Sequence, residues 1–154
     1  MCFIKRNIMD KDILMYIDAL RVSLHAHKHQ VDKLGMPYID HPIRVSLNFD
    51  DPILKSISVL HDVIEDAPIN LMDQYYFSKD VYEVLDLLTH TKYDSYHKYI
   101  RKLSVNPMAV KVKIADLIDN TDPHRMKKLY EIDPKTAIRV SKKYIWALQY
   151  LKDL

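Results

Sequence analysis

His61 and Asp62 open the run HDVIED, residues 61–66, at the end of an otherwise apolar stretch. The run is too polar for passive core packing. On a helix His61 and Glu65 stand one turn apart, as do Asp62 and Asp66, so two adjacent columns face roughly one opening. An imidazole and a carboxylate oxygen can hold a divalent cation, and a nearby acid can orient or deprotonate its water. A His-Asp pair also occurs on ordinary surfaces; two further placements favour a metal site. His41 stands directly before Pro42, at a helix entrance, and Asp116 lies in VKIADLIDN, on a helix whose other faces are apolar. A carboxylate embedded there requires hydrogen bonds or a cation. The candidate metal ligands are therefore His41, His61, Asp62 and Asp116, with Glu65 and Asp66 as candidate catalytic acids.

Lys113 and Asn120 share a helical face with Asp116. Lys113 is placed to attract an anionic group, with snorkelling from the core edge as the alternative. Asn120 is placed to hydrogen-bond substrate or water. Asp119 is rotated away and reads as solvent-exposed or as a cap. In HAHKH only His25 and His29 are one turn apart, so surface or hydrogen-bonded histidines are the expectation, with His27 the candidate for a supporting or substrate role.

Helices must position these groups. Ile13, Ile17, Leu20 and Leu24 recur at spacings of four, three and four, predicting a helix over 11–30 with that stripe buried. VDKLGMPYIDHP then turns the chain through Gly35 and Pro37, and Pro42 fits the first position of the next helix. A helix over 52–65 presents Ile53, Ile57, Leu60 and Ile64 to the core and stops at Pro68. A short helix over 70–76 follows, then 78–90 with Val81, Leu85 and Leu88 inward, and 93–103 with Tyr96, Tyr99 and Leu103 on one side. Asn106 and Pro107 start a helix over 107–120 around Val110, Ile114 and Leu117. After Pro123 a short basic helix over 124–130 precedes a closing helix over 134–152, whose Ala137, Val140, Tyr144, Ala147 and Leu151 complete the core.

Composition agrees with this all-α reading. The 154 residues suit one domain, and a single glycine disfavours a hairpin-rich sheet. The lone cysteine, Cys2, excludes an intrachain disulfide and a thiolate-rich zinc site, and suits a reducing, cytoplasmic setting. No apolar run approaches the roughly 20 residues that cross a bilayer, so no membrane partner is expected. A net charge of +2 is too small to imply nucleic-acid binding. Lys111, Lys113, Arg125, Lys127 and Lys128 around Asp116 allow a small anionic ligand, or are ordinary solvated faces. With one glycine, neither the dinucleotide fingerprint nor the P-loop is present.

AHKHQ, GMPYIDHP, HDVIED, LTH and VKIADLIDN, in this order and spanning about residues 20–120, resemble the HD-domain family, specifically the hydrolase domain of the RelA/SpoT proteins that degrades guanosine alarmones. The resemblance implies a compact multi-helix bundle, residues 1–154 as one hydrolase domain, around a single divalent ion, normally manganese, with another transition metal as the alternative. It places His41, His61, Asp62 and Asp116 on the family's ligands, Glu65 and Asp66 on the acidic pair at the hydrolytic water, and Asn120 near the nucleotide. It further implies a stand-alone enzyme releasing pyrophosphate from the 3′ side of a guanosine tetra- or pentaphosphate. Other readings are an HD nucleotidase or phosphohydrolase with a different phosphorylated substrate, and a nucleotide-binding module without turnover.

The sequence departs from the family where the nucleotide should rest. Lys33 keeps one basic, substrate-binding position, but Asp32 stands where arginine is usual, Leu34 where a small polar residue is frequent, and Pro123 replaces an expected hydroxyl. With no adjacent arginine beside Asp32, little preference for guanine over adenine is expected; whether Arg44, Arg125, Lys127 or another cation folds into that place is left open by the sequence.

Overall fold

A computed structural model describes the backbone of residues 2–67 and 71–154 and the side chains of residues 11–67 and 71–154. Among them the order is α1 (Cys2–Ala26), α2 (Asp40–Ser46), α3 (Pro52–Leu60), α4 (Val63–Asp66), α5 (Lys79–Leu88), α6 (Tyr96–Leu103), α7 (Pro107–Asn120), α8 (Pro123–Ile132) and α9 (Pro134–Lys152). The described residues form no multi-residue strand; a lone antiparallel bridge joins Val31 to Pro37. Gly35, at φ +77°, makes the turn inside that bridge, where a side chain would be strained.

Local chemistry starts these helices. Asn106 accepts from the backbone N–H groups of Met108 and Ala109 (2.9 and 3.1 Å), and Pro107 follows without a donor to satisfy. Asp51, Asp122 and Asp133 do the same before Pro52, Pro123 and Pro134. Ser95 caps α6 through Lys98 N–H, so that helix begins after the expected residue 93. In α2 the helix opens at Asp40, which puts Pro42 third rather than first. It is tolerated there because first-turn N–H groups have no intrahelical acceptor.

The core is built from Ile57, Leu60, Leu85, Ile100, Leu103 and Leu117, all fully buried, and a smaller cluster of Leu129, Ala137 and Val140 joins α8 to α9. α1 packs on α3, and α2 packs on both α3 and α7. That last arrangement brings His41 beside α7.

Two expectations fail instructively. The stripe of α1 expected to be buried faces outward, with Ile13 43% and Leu24 50% exposed, whereas Ala19, Val22, Ser23 and His27 are buried. Small side chains at 19 and 23 let α1 approach α3 closely, and tight backbone packing outweighs the larger aliphatics. Helix α1 also ends at Ala26, ahead of residue 30, where a turn closes through Gln30 N–H to His27 O (3.0 Å).

The helix expected over 52–65 is broken at His61–Asp62, between α3 and α4. Neighbouring side chains on a regular helix diverge by about 100°. At the break His61 Nε2 and Asp62 Oδ2 nonetheless approach to 3.1 Å. Residues 71–76 form turns and bends with no α-helix; the expected helix start at Asn70 and the stop at Pro68 lie outside the described residues. No helix of the described residues is long and apolar enough to cross a membrane.

Candidate metal centre

His41 from α2, Asp62 from the α3–α4 break and Asp116 from α7 line a cavity of about 330 Å³, and buried His61 stands against Asp62 and Asp116. His41 Nε2 lies 3.1 Å from Asp116 Oδ1 and 3.9 Å from Asp62 Oδ2; His61 Nε2 lies 3.1 Å from Asp62 Oδ2 and 3.7 Å from Asp116 Oδ1. His41, His61 and Asp62 alone offer atoms within 4.8 Å of one another, a group that could hold a metal ion.

Hydrogen bonding orients both rings. His41 donates from Nδ1 to Asp119 Oδ2 (2.7 Å), and His61 donates from Nδ1 to the Ser58 carbonyl (2.7 Å). The two Nε2 atoms are buried and have no hydrogen-bond partner. In neutral imidazoles those bonds fix the tautomer, leaving both Nε2 lone pairs directed at one point. Such orphaned buried groups are rare without a ligand, and mixed nitrogen and oxygen donors fit a divalent transition metal.

The electrostatics call for positive charge at this point. Burial pulls the His61 imidazole down, but Asp62 and Asp116 outweigh it and hold its pKa well above the usual value; His41 is raised in the same way by Asp116 and Asp119. Burial likewise pushes Asp116 up, yet Lys113 and the two histidines keep it well below the ordinary carboxylate range. The pocket favours cationic partners over protonated acids.

Asp119 departs from expectation. It is not a solvated or capping residue: its side chain is 12% exposed, accepts from His41 and takes a two-point bond from Arg44 (2.6 and 2.9 Å). Tyr38, whose hydroxyl donates to Asp62, was also missed. It precedes His41 by three residues, a helical spacing that gave a usable signal.

The remaining candidates line the same cavity. Glu65 is exposed to the cavity and accepts from His90 N–H; desolvation against the cavity wall, ahead of the nearby carboxylates, raises its pKa. Asp66 accepts from Gln30 Nε2 (2.9 Å), and Gln30 Oε1 meets buried His27 Nδ1 at 2.7 Å, so a side-chain relay runs from the turn after α1 to Asp66. His25 and His29 are exposed. Lys113 is not free to attract an anion by itself: its ammonium lies 2.7 Å from Asp116 Oδ2 and only 12% of the side chain is exposed. Asn120 donates to Asp116 Oδ1 (2.5 Å), and Lys33 stands exposed on the rim.

The arginine absent beside Asp32 in the sequence is supplied by α8. Arg125 Nη2 lies 2.7 Å from Asp32 Oδ2, while Asp32 Oδ1 accepts from Leu34 and Met36 N–H. Burial of Asp32 is outweighed by Arg125, which lowers its pKa. Of the cations that could fold beside Asp32, Arg125 is the one that does so.

No protein-family model matches the chain. It is 29% identical over 138 positions to the bifunctional (p)ppGpp synthase/hydrolase SpoT of Escherichia coli, covering 80% of this chain and spanning 19% of the length of that protein. It is 29% identical over 164 positions to the guanosine-3′,5′-bis(diphosphate) 3′-pyrophosphohydrolase MESH1 of Homo sapiens, and 27% to its counterpart in Mus musculus. Both of these alignments cover 95% of this chain and 88% of the relative. The chain is accordingly similar, at modest identity and over most of its length, to the named 3′-pyrophosphohydrolases, and its described residues form an all-helical fold.

Proposed function

We propose that the protein is a metal-dependent phosphohydrolase that cleaves pyrophosphate from the 3′ position of guanosine-3′,5′-bis(diphosphate) or a close analogue. One observation carries the reading: two buried imidazole nitrogens, unpartnered among the described residues, meet two carboxylates that line a pocket with cations in its wall. The hydrolase names of relatives covering 95% of the chain support it. In this proposal His41, His61, Asp62 and Asp116 hold the ion, manganese first among divalent transition metals, and the setting is cytoplasmic. A divalent cation there would lower the pKa of water and offset negative charge developing at the reacting phosphorus.

The chain's own residues supply the rest. Glu65, its pKa raised by desolvation, takes a proton from the attacking water at a carboxylate oxygen. Asp66, tied to Gln30, orients Glu65 and the water. Attack on the phosphorus attached to the 3′ oxygen breaks that P–O bond, the 3′ oxygen gains a proton, and pyrophosphate leaves. Lys113 acts through Asp116, whose charge it balances, while Asn120 holds Asp116 and meets the nucleotide.

Protein loaded with manganese and given guanosine-3′,5′-bis(diphosphate) is expected to yield equal amounts of pyrophosphate and guanosine diphosphate. Release of monophosphate alone, or no turnover, counts against the reading. The adenosine counterpart belongs in the same assay, since Arg125 at Asp32 restores a cation to the wall that reads the base.

A positioning role for Asp119 gives a separate prediction. Asp119→Asn keeps the shape but weakens its hold on His41 and Arg44, so affinity for manganese should fall by about 10- to 100-fold, the usual effect of losing such an orienting carboxylate. Titration of metal-free protein reads this directly, and an unchanged dissociation constant excludes the role.

A further inference from the structure

The cations around the cavity divide into two kinds. Lys113 is neutralised by Asp116 and Arg125 by Asp32, each at 2.7 Å. Lys33 and Lys143 also line the cavity, and neither makes an ion pair among the described residues. Lys33 is on the rim and exposed, but Lys143 is partly buried in the α9 wall. Its ammonium sits 4.1 Å from the centroid of the Tyr96 ring and 5.5 Å from that of Tyr144. A ring face attracts an ammonium without supplying a counter-charge.

The surroundings of Lys143 are unfavourable to its charge. Burial lowers its pKa first, followed by repulsion from Lys113, Arg139 and Lys33. The Tyr96 hydroxyl, on the same wall, is buried with no hydrogen-bond partner. An uncompensated cation and an unused O–H donor facing one cavity are complementary to an oxyanion, which relieves both at once.

We propose that Lys143, with the Tyr96 hydroxyl and Lys33, forms a second anion subsite that takes a phosphate group of the substrate other than the one being cleaved. The pocket thereby selects nucleotides phosphorylated at both ends of the ribose. This inference rests on the phosphohydrolase reading and assigns the 5′ phosphates to the α9 wall. Lys143 is a substrate-binding group here and takes no part in proton transfer.

The test compares guanosine-3′,5′-bis(diphosphate) with guanosine 3′-diphosphate, which lacks the 5′ phosphates, in wild type, Lys143→Met, Lys143→Arg and the exposed control Lys142→Met. Lys143→Met should raise KM for the first substrate about tenfold with kcat within about twofold, and leave kcat/KM for the second unchanged. Lys143→Arg should recover most of the loss, and Lys142→Met should behave as wild type. Equal effects on both substrates, the signature of a merely structural lysine, or no effect on either, overturn the subsite. Guanosine diphosphate binding to the same proteins separates this proposal from the parent reading. If wild type turns over neither substrate, the hydrolase reading fails, while a roughly tenfold loss of guanosine diphosphate affinity confined to Lys143→Met still sustains the subsite. Identical affinities in wild type and Lys143→Met reject it.

Discussion

Turnover should fall by about a thousandfold or more when His61 is replaced by asparagine, and chelation should do the same to the unaltered protein. His61 Nε2 is buried, has no hydrogen-bond partner, and lies 3.1 Å from Asp62 and 3.7 Å from Asp116. Removing this imidazole donor should remove the ion, and the several kcal/mol that a bound cation contributes to stabilising a phosphoryl transition state correspond to about three orders of magnitude in rate. Asp116→Asn should lose as much activity and more stability. It strips the counter-charge from the buried Lys113 ammonium, and breaking a buried pair from one side costs about 3–5 kcal/mol. His61→Asn is therefore the cleaner probe. Metal content, circular dichroism and kcat measured on the same preparations decide the matter. Full turnover in carefully metal-depleted protein would refute the catalytic-metal reading.

Glu65→Gln should lower kcat by about 10²–10⁴, the range contributed by a positioned general base, while manganese occupancy stays near that of the wild type. Glutamine keeps the size of the side chain and can still accept from His90 N–H. What it loses is the proton acceptor. The pH dependence gives this prediction a direction. Desolvation, followed by repulsion from Asp62 and Asp66 after partial relief by His90 and Lys113, places the folded-state pKa above the ordinary 4.5. The acid limb of wild-type kcat/KM that reports this carboxyl should be absent from the residual activity of the variant. For stability the same shift has the opposite consequence. A carboxyl whose folded pKa is raised disfavours folding once the unfolded chain ionises, so the metal-free variant should gain on the wild type as pH rises through 4.5 and hold that advantage above the folded pKa. Urea midpoints at pH 4 and pH 7 read the gain; equal kcat in the two proteins ends the general-base assignment.

The helix starts were readable because each is a conversation between neighbours: Asn106 with Met108 and Ala109, Asp133 with Thr136, a proline between cap and first turn. That His41, His61 and Asp116 need partners was readable too, since a buried polar residue in an apolar stretch demands one wherever the chain goes. The failure at α1 has an equally physical cause. Periodicity reports how apolar a face is, but the face bearing Ala19 and Ser23 is buried because it lets α3 come close. At HDVIED the polar content was legible and the backbone break was not, because it depends on where α2 and α7 bring their own side chains.

The sequence by itself determined the helical class, the capped starts of the helices, and the residue types that can hold a cation and move a proton, all of them properties of a residue and its near neighbours. Only the tertiary structure decided the partner of each charge. Asp119 meets His41 across 78 positions of chain, Arg125 reaches Asp32 across 93, Lys113 is committed to Asp116, and Lys143 is left facing the cavity without a counter-charge. Ion pairing depends on distance in space and on burial, and no spacing along the chain encodes either once helices from distant segments share one pocket.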